Sequence, residues 1–123
     1  MRALKQEILV VEDDKYIREL LHQLLVNEGY KTAVASNGEE ALRYLRREIS
    51  EVKLILLDLM MPIKNGFEVS EEMQKDPVLC KLPIIIMSAA AQLAGAEKKI
   101  PSKAALQKPI DTDALLSAIR QWY

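Results

Sequence analysis

Three short runs in this chain contain no polar residue: ILVV at 8–11, LILL at 54–57 and IIIM at 84–87. A strand with one face in water alternates apolar and polar residues. A strand apolar at every position needs cover on both faces. Between these runs lie stretches with helical spacing. Ile17, Leu20, Leu21, Leu24 and Leu25 recur at the interval of one helix face, and Gly29 is placed to cap the C-terminal end. Ser36 to Glu39 reads as a capping box opening a helix with Ala41, Leu42, Leu45 and Ile49 on its apolar side. Phe67, Val69 and Met73 suggest a helix after Gly66, and Asp111 or Thr112 caps a last one carrying Leu115, Leu116, Ile119 and Trp122. Residues 31–35 and 103–107 supply two weaker strands. Strand–helix alternation of this kind predicts an α/β fold: a parallel sheet with right-handed crossovers and helices on both faces. Five strands suit a doubly wound open sheet, because a closed barrel needs about eight.

With 123 residues the chain is expected to form one domain over 1–123. Lys and Arg number 17 against 18 Asp and Glu, a net charge of −1, so no electrostatic case for nucleic acid exists. No apolar run approaches the roughly 20 residues of a membrane span. Glu7 interrupts the apolar stretch near the start, which therefore lacks the core of a signal peptide. Cys80 is the only cysteine, which excludes an internal disulfide and a cysteine-rich metal site. A cytoplasmic location and no membrane contact are the expectation.

In a parallel sheet every strand ends on the same edge. Glu12 and Asp13 follow the first strand, Asp58 ends the third, Ser88 the fourth, and Lys108 follows the fifth. Each has an ordinary reading by itself: an acidic solvated loop, a turn cap, a helix N-cap, a surface lysine. Together they place two kinds of charge and a hydroxyl on one edge. Open α/β sheets bind ligands at this edge, where the strand order reverses. For the order 2-1-3-4-5 that reversal falls between strands one and three, the two that end in carboxylates.

Carboxylates crowded together repel unless a cation lies between them. Few neutral donors and several acids suit Mg²⁺, which keeps waters and leaves room for phosphate oxygens. A carboxylate can attack a phosphoryl group, and Asp58 is the central candidate. Lys108 and a metal would offset the charge that builds on the phosphoryl oxygens.

ILVVEDD, LILLDLMMPIKNG, PIIIMSA and LQKPI together resemble the receiver domain of two-component response regulators, such as the chemotaxis receiver. The likeness covers essentially the whole chain. It implies the flavodoxin-like sheet of order 2-1-3-4-5; that order belongs to the resemblance and is not independent of it, because the chemotaxis receiver is itself a known case. It implies that Asp58 accepts a phosphoryl group from a sensor histidine kinase or phosphotransfer protein. Asp13 would ligate Mg²⁺ directly and Glu12 through water, with Asp58 and the backbone carbonyl of Met60 completing the metal shell. Ser88 would bond the phosphate, Lys108 would pair with it, and Lys108-Pro109 matches the family's cis peptide. Output would pass by protein contact to a downstream partner the sequence does not name, from a monomer or weak dimer.

Two departures stand out. The interval from Ser88 to Lys108 is short and contains Gly95 and Pro101, so the fourth helix is expected to be short or irregular. Ala105 occupies the position of the family's aromatic switch residue. These features favour a competing reading, a receiver-fold adaptor that works without phosphorylation; the complete acids, Ser88 and Lys108 oppose it. A small aspartate-nucleophile phosphatase is the third reading, but Asp58-Leu59-Met60 lacks the second acid of that family's D-x-D pattern. His22, the one histidine, lies on the first helix away from the acids and is expected to have a surface or boundary role, and the terminal Trp122 and Tyr123 are expected to pack against a helix rather than bind a ligand.

Overall fold

The computed structural model describes residues 4–123. The first three residues, which the expectation of one domain over 1–123 and the reading of the N-terminal stretch include, lie outside the described residues. Five strands, β1 (Glu7–Val11), β2 (Thr32–Ala35), β3 (Val52–Asp58), β4 (Ile84–Ser88) and β5 (Ala104–Gln107), form one sheet in the order β2-β1-β3-β4-β5. Every pairing is parallel. The helices are α1 (Lys15–Asn27), α2 (Gly38–Glu48), α3 (Gly66–Gln74), two single turns α4 (Ala90–Leu93) and α5 (Ala96–Lys99), and α6 (Thr112–Trp122).

The continuous apolar runs are explained by the pleat. Leu9, Val11, Ile55, Leu57, Ile84 and Ile86 point to one face, where they meet Leu42 and Leu45 of α2 and Val69 and Met73 of α3. Their neighbours Ile8, Val10, Leu54, Leu56, Ile85 and Met87 point to the other, against Leu21 and Leu25 of α1 and Leu115 and Ile119 of α6. The strand residues of both sets are almost wholly buried. Each such side chain contributes about 1.5–3 kcal/mol on burial. A one-residue slip of a strand would exchange the two sets, so the register is fixed from both sides.

Two details differ from the sequence expectations. Leu20 is exposed, not part of the buried stripe of α1, which runs through Leu21 and Leu25 with Ile17 and Leu24 beside it. The cap of α2 is Asn37, whose side chain accepts from the Glu40 N–H at 2.8 Å; Ser36 Oγ instead donates to Glu40 at 2.9 Å. The reciprocal capping box lies at α3, between Asn65 and Glu68. Gly29 does end α1, with φ at 93°, in the left-handed region that glycine enters without penalty. The expected short fourth helix is the pair α4 and α5, broken at Gly95 with φ at 79°. His22 shares a hydrogen bond with Thr32, Cys80 is exposed, and the Tyr123 ring meets Tyr30 edge to face.

Candidate functional site

The parallel registers carry the strand ends to one edge. Val11 pairs with Leu57, so Glu12 emerges beside Asp58. Asp58 pairs with Met87 and Ser88 with Gln107, which sets Ser88 and Lys108 on the far side. Backbone bonds lock these ends together: Leu59 N–H to Met87 O at 3.1 Å, and Lys108 N–H to Ser88 O at 2.9 Å. All the residues expected at the site line one open cleft of about 450 Å³: Glu12, Asp13, Asp58, Met60, Ser88 and Lys108. The Lys108-Pro109 peptide is cis.

The acids differ in setting. Glu12 is fully buried and Asp58 is 2 % exposed, whereas Asp13 faces solvent. One carboxylate oxygen from each of the three lies within 4.8 Å of the others. Lys108 Nζ stands 2.6 Å from Glu12 Oε1 and 3.4 Å from Asp58 Oδ2. The Glu12 contact is an ion pair; by strict hydrogen-bond geometry this oxygen remains without a donor. Asp14 also borders the cleft, and its backbone N–H donates to Glu12 Oε2 at 3.1 Å. Its side chain caps α1 by accepting from Ile17 N–H at 3.0 Å. Arg18, which no motif in the sequence marks out, donates to the carbonyls of Glu12 at 3.0 Å and Asp13 at 3.3 Å. That grip holds the acidic turn against α1 while leaving the carboxylates free of the guanidinium.

Burial pushes the Asp58 carboxyl up and the Glu12 charge pushes it further; Lys108 and the Met60 N–H, 3.3 Å from Oδ1, pull it down, and the balance lies at about 7. Burial works to lower the Lys108 ammonium, but Glu12 and Asp58 outweigh it and the net shift is upward. The cluster therefore carries more negative charge than one lysine offsets. Three hard oxygen donors with an excess of negative charge fit a divalent cation such as Mg²⁺.

A larger groove of about 640 Å³ lies between α2 and α3, bordered by Arg46, Lys64, Glu72 and Asp76. Its charges are matched by neighbours: Glu72 by Arg46 and Lys64, and Asp76 by the backbone N–H groups of Val78 and Leu79. Convergent, uncompensated chemistry is found at the smaller cleft.

The response regulator receiver domain family matches residues 8–120. The chain belongs to that family. An uncharacterised 14.6 kDa protein of Leptolyngbya boryana is 36% identical over 99% of this chain and 94% of its own. A probable transcriptional regulator, ycf27 of Pyropia yezoensis, is 40% identical over 76% of this chain but only 36% of its own length. The chain thus spans about a third of that regulator. Among solved structures, the receiver domain of a sensor histidine kinase from Pseudomonas aeruginosa superposes with a TM-score of 0.85 at 26% identity, covering 95% of this chain and 96% of that one. That protein holds a magnesium ion coordinated in its active-site cleft. The chain is therefore a receiver domain of two-component signalling with the flavodoxin-like, chemotaxis-receiver-like fold.

Proposed function

We propose that this receiver domain takes a phosphoryl group on Asp58 from the phosphohistidine of a sensor histidine kinase or phosphotransfer protein. The observation that carries the reading is the placement of Asp58: in the cleft, with carboxylate oxygens of Glu12 and Asp13 within 4.8 Å and the Lys108 ammonium 3.4 Å away. Glu12, Asp13, Asp58 and the Met60 backbone are the groups that would hold Mg²⁺. When bound, the metal supplies positive charge to phosphoryl oxygens that three carboxylates would otherwise repel.

The chain's own residues do the rest. An Asp58 carboxylate oxygen forms the new bond to phosphorus, and the bond from phosphorus to the donor nitrogen breaks with its electron pair returning to the imidazole. Lys108 stays cationic under its two acidic neighbours. Its ammonium stands where charge gathers on the phosphoryl oxygens. Ser88 is buried at the end of β4 and faces the same cleft, so its hydroxyl is the group to bond the product phosphate. Output passes by protein–protein contact to a downstream partner.

Incubation with acetyl phosphate and Mg²⁺ tests the reading by mass spectrometry. One base-labile phosphoryl group is expected, absent from Asp58→Asn and absent when the metal is chelated. Equal labelling of the Asp58→Asn variant would remove Asp58 from the role, whereas absence of labelling in the parent would favour the phosphorylation-independent adaptor.

A further inference from the structure

The segment between β3 and α3 joins Asp58 to the rest of the cleft wall through Met60, and its backbone is strained. Ile63 has φ at 67°, a region that β-branched residues avoid. Lys64 N–H donates to Pro62 O at 2.7 Å, closing a three-residue turn of the unfavourable hand about Ile63. The Ile63 side chain is 77% exposed, so its own burial does not offset the cost. A conformation this unfavourable persists only where the surroundings impose it.

The surroundings act through Lys64. Its carbonyl accepts from Gly38 N–H at 3.0 Å, at the first turn of α2. Its ammonium lies 3.2 Å from Glu39 in α2 and hydrogen-bonds to Glu72 in α3, which Arg46 holds in turn at 2.9 Å. Charge pairs on a surface contribute little singly, but a partly shielded network on one cation is the exception. The far end of the loop is fixed as closely. A Cβ on Gly66 would stand 2.6 Å from the Asp58 carbonyl oxygen, so only glycine lets α3 start this near the site.

We infer that Lys64 is a positioning residue for the phosphoryl-transfer site: clamped between α2 and α3, it holds the strained turn at residues 62–64 and thereby the Met60 backbone at the cleft. The inference rests on the reading of Asp58 as phosphoacceptor. Lys64 makes its hydrogen bonds and ion pairs with Pro62, Gly38, Glu39 and Glu72, outside the cleft, and acts through the loop.

The test pairs Lys64→Met with Lys64→Arg. In metal-free protein, amide hydrogen exchange is followed at Lys64 and Gly38, whose N–H groups make the two loop bonds. In labelling with acetyl phosphate, the Mg²⁺ concentration for half-maximal rate is measured. Lys64→Met is expected to raise both quantities about fivefold, the scale of a small ion-pair network lost from a local opening. The saturating rate should move less, and Lys64→Arg should restore both. Unchanged exchange at Lys64 and Gly38, or an equal rise at the amides of β1 and α6, would overturn the clamp. So would an unchanged Mg²⁺ requirement. Should Lys64→Met not fold, Glu39→Gln loosens one contact and is read in the same way. Absence of any labelling in the parent protein would defeat the Asp58 reading instead, and the exchange comparison would still decide the clamp.

Discussion

Replacing Asp58 with asparagine should stabilise the metal-free protein, and only at the upper end of the pH range. The Asp58 carboxyl in the folded protein sits at about 7, raised by burial and then by Glu12. In the unfolded chain it returns to about 3.9. Below about pH 4 both states hold the proton, and the carboxyl costs nothing. Between about pH 4 and 7 the unfolded chain loses it first, so stability falls as pH rises through this window. A separation of about 3 units sets a ceiling of about 4 kcal/mol. Solvent at the open mouth of the cleft screens part of it, leaving about 2 kcal/mol. The Asp58→Asn side chain would carry no charge at any pH and should abolish the fall. Its amide oxygen can still accept from Met60 N–H as Asp58 Oδ1 does, and Lys108 keeps Glu12 at 2.6 Å. Denaturant unfolding in chelator at pH 5 and pH 8 gives the comparison. The variant should exceed the parent by about 2 kcal/mol at pH 8, or about 8 °C in melting temperature, and by much less at pH 5. An Asp58→Asn variant less stable than its parent at pH 8, or a difference independent of pH, would refute the charge crowding inferred from the geometry.

Three further outcomes are expected. Millimolar Mg²⁺ should raise the melting temperature of the parent by ligand linkage, and Asp13→Ala should abolish that gain, as read by thermal unfolding with and without the metal. Ile63→Gly should stabilise the protein by about 1 kcal/mol in denaturant unfolding, since relief of a positive φ outweighs the added freedom of the unfolded chain; a destabilised variant would show the turn to be unstrained. Beryllofluoride with Mg²⁺ should change hydrogen-exchange protection most across residues 89–105 and little in α1, because Ala96 and Ile100 are the only buried residues between Ala89 and Lys103.

The sheet was legible because its strands announce themselves. A run such as ILVV at 8–11 has no polar residue to place in water, and only a doubly covered strand accommodates it. The site followed from the same logic, since strand ends in a parallel sheet share an edge. The pairing of Lys64 with Glu39 and Glu72 was not legible, because charges are plentiful and nothing local says which meet across three elements. Ile63 was hidden for the opposite reason: its residue type argues against the conformation it adopts. The α2 cap slipped by one residue because Ser36 and Asn37 are both good caps and Glu39 and Glu40 both good partners. Arg18 gave no signal at all, since it contacts backbone carbonyls rather than an acid. Ala105 stood out at once, and it is half-buried beside the α2–α3 core, with no ring to turn.

The Tyr123 hydroxyl donates to the Gln6 carbonyl at 2.6 Å, so the beginning of β1 and the end of α6 share a corner of the molecule. The cleft lies at the opposite ends of the strands, about 16 Å away for a strand of this length. In terms of chain connectivity, Gln6 and Tyr123 can be joined by a short linker at small entropic cost. New ends opened at Gly95, exposed and between two single turns, would sever no strand. Glu12, Asp58, Ser88 and Lys108 arrive at the cleft on four separate passes of the chain. Their meeting depends on lateral strand neighbours and not on which pass is made first, so a permuted chain of this kind should rebuild the same cleft.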